Sequence, residues 1–368
     1  MLPAALAGCA GAGLIGKVVE AASTGIKKAK TTAPGWGKLR RGLRDGQVDD
    51  IGADMAETSS LTSEIGVHSL NHFALAVPDL KAAETFYTAF GLIVQATGNG
   101  LLLKTAGHPA TWGHLVEGPA KRLHHLSFGI YEADLPQFRA RLQQRRIAQL
   151  DPPPGFESNG FWFRDGEGNL VELRVAEKTM PDSKSPLDIM PVDEGLRRAP
   201  ARKDAGRVQP TRLSHVLIFA RDVEAQMQFY TGLLGLRLSD RSGDGIAFMH
   251  GIHGSDHHLL ALVKSAGPGL HHCSWDVPSI HQIGLGAELM AERGFGAGWG
   301  LGRHVLGSNY FHYVRDPWGS YSEYSCDIDY IPKGMQWPAG DYAPQDSFYV
   351  WGPTPPKDFA VNYELEGR

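Results

Sequence analysis

Apolar and polar positions along the chain alternate in short runs that predict strands, and several of these runs lead into helical spacing. The stretch "LNHFALAVPDLKAAETFYTAFGL", which begins at Leu70, alternates first, continues with an aspartate suited to cap a helix, and ends at a glycine. "LSHVLIFARDVEAQMQFYTGLLGL", which begins at Leu213, has the same pattern. Aligning His72 with His215 also aligns the two aspartates and the two "FYT" tripeptides. The chain therefore contains an internal duplication.

Each half of the duplication divides again. "LHHLSFGIYEADLPQFRARLQQRRI" from Leu123 and "LHHCSWDVPSIHQIGLGAELMAERG" from Leu270 repeat the pattern of a strand followed by a helix. Each is followed by a turn-rich pair of strands that ends in a glutamate, "FWFRDGEGNLVEL" in one half and "FHYVRDPWGSYSEY" in the other. The sequence predicts an α+β fold of four βαβββ modules, paired into two domains.

These patterns predict five segments. They are an N-terminal extension, basic then acidic (1–65), an N-terminal module pair (66–176), a polar, proline-punctuated linker (177–211), a C-terminal module pair (212–331) and a tail rich in proline and aromatic residues (332–368). The first 48 residues carry eight Lys or Arg against only Glu20 and Asp45. Because the tail would otherwise expose many aromatic side chains, we expect it to pack on the body.

Composition limits the class of partner. With 42% apolar and 21% charged residues the chain is an ordinary globular protein, and a net charge of −4 provides no basic face for nucleic acid. No stretch is long and apolar enough to span a bilayer. Cys9, Cys273 and Cys326 are too few and too scattered for a disulfide framework or a CxxC zinc site. We expect a cytoplasmic protein with a small-molecule partner.

The C-terminal half carries a set of residues suited to bind a metal. Its "DPWG" turn folds the strand that holds Tyr313 back beside the strand that holds Glu323. A carboxylate inside an apolar sheet must be paired, protonated or metal-bound, since an unpaired buried charge costs at least several kcal/mol. His215 and His272 lie on the first strands of their modules. Two neutral imidazoles and a carboxylate form the facial triad that holds non-haem Fe(II) and leaves positions open for substrate and dioxygen.

The N-terminal half repeats this set as His72, His125 and Glu172. Their separations of 53 and 47 residues resemble the 57 and 51 residues of the C-terminal set. However, Trp162 and Pro153 stand where the C-terminal half has a tyrosine and a histidine. We expect a vestigial or structural site rather than a second active one, and whether it binds a metal is left open.

Paired βαβββ modules with His, His and Glu on successive strands resemble the vicinal oxygen chelate superfamily. Over residues 66 to 330 the chain resembles the two-domain type I extradiol catechol dioxygenases. The most specific match is "GLGRH", nine residues to Tyr313, "DPWG", and then Glu323. The resemblance implies an extradiol (meta) ring-cleavage dioxygenase that inserts both atoms of O2 into a catechol or substituted catechol, in the degradation of aromatic compounds.

The resemblance also implies the ligands and the cofactor. His215, His272 and Glu323 would bind Fe(II), and O2 would be the co-substrate. Mn(II) suits the same ligands, so that the sequence does not decide between the two metals.

Three further residues would act on the substrate. His304 and Tyr313 would bond the substrate oxygens, and a tyrosine hydroxyl can steady a developing oxyanion. His258 would be the acid/base residue, since an imidazole with a pKa near neutrality can accept a catechol proton and later return it. Two positions depart from the family pattern. His312 stands where an aliphatic residue is usual, and the interval from His258 to the next ligand is one residue short, which leaves His257 as the alternative.

Other functions remain open. A glyoxalase-like metal isomerase shares the scaffold, a 4-hydroxyphenylpyruvate dioxygenase-like enzyme is also an iron enzyme with two domains, and a non-catalytic binding protein can be built from the same modules. The spacing of His304, Tyr313 and Glu323 favours ring cleavage. The ring substituent that the enzyme prefers cannot be deduced, and assembly into a homo-oligomer is expected.

Overall fold

The structure is a computed structural model that describes residues 64–189 and 192–365. The expected N-terminal extension, with Cys9, therefore lies almost entirely outside the described residues. No helix in these two ranges is long and apolar enough to cross a membrane.

The N-terminal half forms one mixed sheet of seven strands. Its elements are β1 (Ser69–Val77), α1 (Leu80–Phe90), β2 (Ile93–Thr97), β3 (Gly100–Lys104), β4 (Thr111–Glu117), β5 (Arg122–Ile130), α2 (Leu135–Gln144), β6 (Phe161–Arg164) and β7 (Leu170–Val175). The strands lie in the order β2-β3-β4-β1-β5-β7-β6.

The C-terminal half and the tail form a second mixed sheet, of ten strands. The half consists of β8 (Arg212–Ala220), α3 (Val223–Leu234), β9 (Arg237–Ser242), β10 (Ile246–His250), β11 (Ser255–Asp256), β12 (Leu260–Lys264), β13 (Gly269–Asp276), α4 (Ile280–Glu292), β14 (Gly298–His304), β15 (Tyr310–Arg315) and β16 (Tyr321–Cys326). The half ends with β17 (Tyr330–Ile331), which pairs with β11 outside the large sheet, and the tail adds β18 (Gly340–Asp341), α5 (Pro344–Ser347) and β19 (Tyr349–Trp351). The order in the large sheet is β18-β9-β10-β12-β8-β13-β16-β15-β14-β19.

The duplication sets the strand pairing. In each module the last strand lies parallel beside the first, as β4 does beside β1 and β16 beside β13. The first strands of paired modules are antiparallel neighbours at the centre of each sheet. The predicted α+β fold of four modules is confirmed, and β8, β13 and β16 are adjacent strands.

The helices that follow β1 and β8 begin and end alike. Asp79 and Asp222 each accept a hydrogen bond of 2.9 Å from the backbone N–H three residues further on, which satisfies an otherwise unpaired donor at the helix start. Gly91 and Gly235 end the helices with φ angles of 101° and 73°, a left-handed conformation that favours glycine. The aspartate and glycine that recur in the two halves are therefore the caps at the start and end of each helix.

The second module differs from the other three. After α2, the strand expected before β6 is reduced to a single bridge between Leu150 and Trp162. Pro152, Pro153 and Pro154 follow at once, and proline has no N–H to donate to a strand ladder. The sheet therefore lacks the strand that in the C-terminal half carries His304.

The tail packs over the C-terminal half. Phe348 and Phe359 contact Trp299 and Tyr313 in a small aromatic cluster, and β19 pairs with β14 at the edge of the sheet. The short strand β18 extends the opposite edge beside β9. Both edges of the large sheet are thus covered by the tail.

A buried ion pair joins the tail to both halves. Lys121 Nζ lies 2.6 Å from Glu364 Oε1, and both residues are nearly buried. Glu364 also accepts the backbone N–H groups of Leu123 and Leu270, each at 3.0 Å. Removing one partner of such a pair leaves the other charge buried without compensation.

We predict that Lys121→Met lowers the free energy of unfolding by about 3–5 kcal/mol, because the Glu364 carboxylate loses its only ammonium partner in the described chain. Denaturant unfolding measures the change. Arg202→Met is the matched control. It removes exposed ion pairs with Glu288 and Glu292, so that stability should hardly change. Equal effects of the two substitutions would contradict the importance of this buried pair.

Candidate functional site

Three neighbouring strands bring His215, His272 and Glu323 together. Ser274 of β13 pairs with His215 of β8 on one side and with Glu323 of β16 on the other. All three predicted ligands are buried. Glu323 Oε2 lies 3.3 Å from His215 Nε2 and 3.8 Å from His272 Nε2.

The donor atoms of these residues fit a divalent metal ion. Among the described residues, His272 Nε2 and Glu323 Oε2 have no hydrogen-bond partner. Atoms that share one ion, each about 2.0–2.2 Å from it, lie about 3–3.5 Å apart, which is close to the observed separations. Buried polar atoms without partners are rare in folded proteins, and a cation at this point would satisfy both.

A chain of hydrogen bonds orients His215. Arg212 donates two bonds to the Asp256 carboxylate, at 2.7 and 3.1 Å, and Ser214 Oγ lies 2.6 Å from Asp256 Oδ2. A carboxylate only accepts, so the Ser214 hydroxyl donates its proton to it. The Ser214 oxygen is then the acceptor for His215 Nδ1–H, 3.1 Å away. His215 Nε2 is thereby left without a proton, the form that binds metals.

The tail orients His272 in the same way. His271 Nε2–H donates to the backbone carbonyl of Phe359 at 2.8 Å. In a neutral imidazole the other nitrogen is an acceptor, and His271 Nδ1 lies 2.7 Å from His272 Nδ1. Burial, and then the neighbouring His271, lowers the pKa of His272 well below its ordinary value. His272 is therefore neutral, with Nε2 bare and directed at Glu323.

The structure distinguishes His258 from His257. The ring of His258 lies 4.0 Å from the ring of His215, between centroids. His257 lies behind it, with Nε2 2.8 Å from Asp240 Oδ2 and Nδ1 3.1 Å from His258 Nδ1. Burial, followed by the influence of His215, lowers the pKa of His258 well below its ordinary value. This pKa is lower than the near-neutral value expected from the sequence, and it makes His258 a neutral imidazole.

His304 and Tyr313 form a pair beside the triad. His304 Nε2 lies 2.9 Å from the Tyr313 hydroxyl and 3.6 Å from Glu323 Oε1. His304 Nδ1–H donates to the carbonyl of Phe348 at 2.9 Å, so its Nε2 is the acceptor for the tyrosine proton. Burial and the charge of Glu323 raise the pKa of Tyr313 well above its ordinary value. Tyr313 therefore keeps its proton and can donate it in a hydrogen bond.

Glu323 is ionised despite its burial. Burial acts to raise the pKa of this carboxyl, but the surrounding His215, His304 and His272 outweigh it and hold the pKa well below its ordinary value. Asn309, which the sequence analysis did not single out, also approaches the carboxylate, with Nδ2 3.4 Å from Glu323 Oε1.

Two further residues lie outside the site. His312 precedes Tyr313 on β15, and side chains alternate between the faces of a strand, so His312 points away from the triad. Cys273 follows His272 on β13 and packs in the hydrophobic core. Asp256, Asn309 and the carbonyls of Phe348 and Phe359 were missed. Only Asp256 had a local signal, its position directly before the two histidines of "SDHH".

Comparison with known sequences places both halves in one family model. The description of that model is Glyoxalase/Bleomycin resistance protein/Dioxygenase superfamily, and it matches residues 69–173 and 212–324. The chain is 51% identical over 298 residues to Metapyrocatechase 2 of Cupriavidus necator, a match that covers 81% of this chain and 93% of that protein.

Solved structures share the fold. An extradiol ring-cleaving dioxygenase from B. fuscum superimposes with a TM-score of 0.66 at 20% identity, covering 82% of this chain and 84% of that one. The Mn(II)-bound glyoxalase from Novosphingobium aromaticivorans superimposes with a TM-score of 0.64 at 23% identity, covering 79% and 95%. At these identities the similarity establishes the fold alone.

We predict that Glu323→Gln and His215→Ala each abolish metal binding at the C-terminal triad, because two remaining ligands hold an ion poorly. Elemental analysis after reconstitution measures the bound metal. Cys273→Ala, beside His272 but on the opposite face of β13, is the control that should keep the ion. If His215→Ala retained the metal content of the parent, the ligand set would be wrong.

Proposed function

Because the chain belongs to the glyoxalase/bleomycin resistance protein/dioxygenase superfamily, we propose that it is an extradiol ring-cleavage dioxygenase that acts on a catechol-type substrate. Its 51% identity to a metapyrocatechase over most of both chains carries this assignment. The chain is thus an oxygen-incorporating enzyme of aromatic-compound degradation. The His304–Tyr313 pair beside a triad of two histidines and a glutamate supports it.

His215, His272 and Glu323 would hold the ion, for which we propose Fe(II), while Mn(II) suits the same donors. When bound, the ion would supply Lewis acidity and would bring a catechol and dioxygen together for reaction. The chain's own contribution is to fix the orientation of the substrate and to move its protons.

His258 is placed to move a proton. When His257 Nε2–H donates to Asp240, the second nitrogen of His257 can accept His258 Nδ1–H, which leaves His258 Nε2 as a base. A base of this kind would accept the proton of a catechol hydroxyl and, once protonated, would return it to a reacting oxygen atom. The low pKa of His258 makes it a weak base and, once protonated, a strong acid.

His304 and Tyr313 have complementary roles toward the substrate oxygens. His304 Nε2 is an acceptor, since Nδ1 already donates to the carbonyl of Phe348, and it suits a catechol hydroxyl. Tyr313 is a donor whose pKa is raised, and it suits an oxygen atom that gains negative charge. A pocket with both groups holds a substrate whose two adjacent oxygens differ in protonation.

Of the other functions considered, the glyoxalase-like isomerase is supported only by the fold that the chain shares with a solved glyoxalase. The sequence relative at 51% identity is a metapyrocatechase, and this favours ring cleavage. Location in the cytoplasm and assembly into a homo-oligomer stay predictions, as does the preferred ring substituent.

The proposed reaction is tested with protein reconstituted anaerobically with Fe(II). Catechol should consume one O2 per ring opened, followed by an oxygen electrode and by the absorbance of the product. Neither the methylglyoxal–glutathione adduct nor hydroxyphenylpyruvate should lead to O2 uptake. Isomerisation of the adduct without oxygen uptake from catechol would contradict the proposal.

We predict that His258→Gln keeps the metal and still binds a catechol, but slows ring opening by a factor of about 10² to 10⁴, the range expected for losing a general acid/base. Pre-steady-state kinetics under controlled oxygen separate binding from ring fission. His257→Gln is the control for register and should slow turnover far less, because His257 acts only through His258. If His258→Gln turned over at the rate of the parent, His258 would not be the acid/base residue.

A further inference from the structure

The N-terminal half contains a second buried group of donors that ring cleavage does not use. His72 of β1, His125 of β5 and Glu172 of β7 are at most 3% exposed, and a ligand atom of each lies within 4.8 Å of the others. His72 Nε2 lies 3.0 Å from His125 Nε2 and 4.0 Å from Glu172 Oε2. Like the C-terminal triad, the three residues stand on adjacent central strands.

The carboxylate of this group is poorly compensated by protein. Glu172 Oε2 accepts a hydrogen bond from the Ser127 hydroxyl, and Oε1 has no partner among the described residues. The nearest cation is Arg174, whose Nη1 lies 4.0 Å from Oε2 and whose side chain is 39% exposed. A buried carboxylate in this state is unfavourable unless something else satisfies it.

The two imidazoles face each other at hydrogen-bond distance, and His72 supplies a lone pair. His72 Nδ1 lies 2.9 Å from the Asn71 side-chain oxygen, which can only accept, so that Nδ1 carries the proton and Nε2 is bare. His125 Nδ1 lies 2.8 Å from His124 Nδ1, as His272 Nδ1 lies beside that of the preceding histidine. Both halves thus hold their histidines from behind in the way that orients metal ligands.

A further imidazole stands at this site, in a position that is apolar in the C-terminal half. His114 of β4 pairs with Ala74, and the aligned pair in the C-terminal half is Leu217 with Ala261. The His114 ring centroid lies 4.6 Å from that of His72. Structural metal sites usually have four protein ligands, whereas catalytic sites keep a position open. His114 is therefore the candidate for a fourth ligand.

Apolar rings fill the space that a substrate would need. Trp162 pairs with Glu172 as Tyr313 pairs with Glu323, and its ring lies 4.9 Å from that of His125. The ring of Phe156 lies 4.7 Å from the same histidine. The site can therefore take an ion but has no hydroxyl or imidazole at the tyrosine position to bind a chelating substrate.

We propose that His72, His125 and Glu172 bind a second divalent transition-metal ion, which has a structural role and stabilises the N-terminal sheet by joining β1, β5 and β7. The chain then carries two ions, one at an open site and one at a closed site. This inference does not depend on the reaction proposed for the C-terminal half.

The test counts ions in a protein whose C-terminal triad is disabled. His215→Ala/Glu323→Gln protein is stripped with a chelator and titrated with Zn(II) or Mn(II), with elemental analysis and calorimetry. We expect two ions per chain in the parent, one in the disabled protein, and none when Glu172→Gln is added. Glu157→Gln, an exposed glutamate in the loop beside Phe156, should leave the count unchanged.

Thermal unfolding provides the second measurement. The melting temperature of the disabled protein should rise by about 5 °C or more at an ion concentration about 100-fold above the dissociation constant, since the ion binds only the folded state. A disabled protein that binds no ion and shows no shift overturns the proposal, and this result needs no folded variant of the N-terminal half. An ion that persists after Glu172→Gln would also overturn it.

Discussion

A buried, ionised carboxylate that faces bare imidazole nitrogens is the constraint around which the C-terminal half is organised. Glu323 is fully buried, and its pKa is nevertheless held below its ordinary value by the histidines around it. Protein groups alone leave its Oε2 and the Nε2 of His272 without hydrogen bonds. Only a cation satisfies these atoms. Metal binding therefore contributes to the stability of the three central strands that carry the ligands.

The hydrogen bonds behind the histidines decide what the pocket can bind. Each inward-facing imidazole is held at Nδ1 by a partner further from the metal site: Ser214 for His215, His271 for His272, His257 for His258 and the Phe348 carbonyl for His304. All four Nε2 atoms are therefore acceptors, and Tyr313 is the donor among them. A pocket built of acceptors selects a cation and a substrate that brings its own protons, as a molecule with two adjacent hydroxyls does.

The sequence predicts the part of this arrangement that depends on repetition and alternation. His215, His272 and Glu323 could be proposed because the spacing recurs in the other half, and Tyr313 because a hairpin turn fixes its strand opposite Glu323. The choice between His257 and His258 could not be made, since adjacent residues face opposite ways and β12 begins only at Leu260, so strand periodicity does not reach them.

The contacts that sequence reasoning missed are of another kind. The Phe348 and Phe359 carbonyls act through the backbone, which every residue has, so that no residue type marks them. Asp256 reaches His215 through an intermediate hydroxyl from 41 positions away. The reduced strand in the second module was foreseeable in principle from three consecutive prolines, because proline's missing N–H is a local property.

The position of the tail has a consequence for biosynthesis. A ribosome finishes all three C-terminal triad residues by Glu323, but the carbonyls that set the protons of His304 and His271 are added only with Phe348 and Phe359. A nascent chain that has just emerged past Glu323 therefore has every donor atom and an incomplete proton arrangement. The imidazoles therefore take the orientation that suits a metal only once residues 348 to 359 have docked on the C-terminal half.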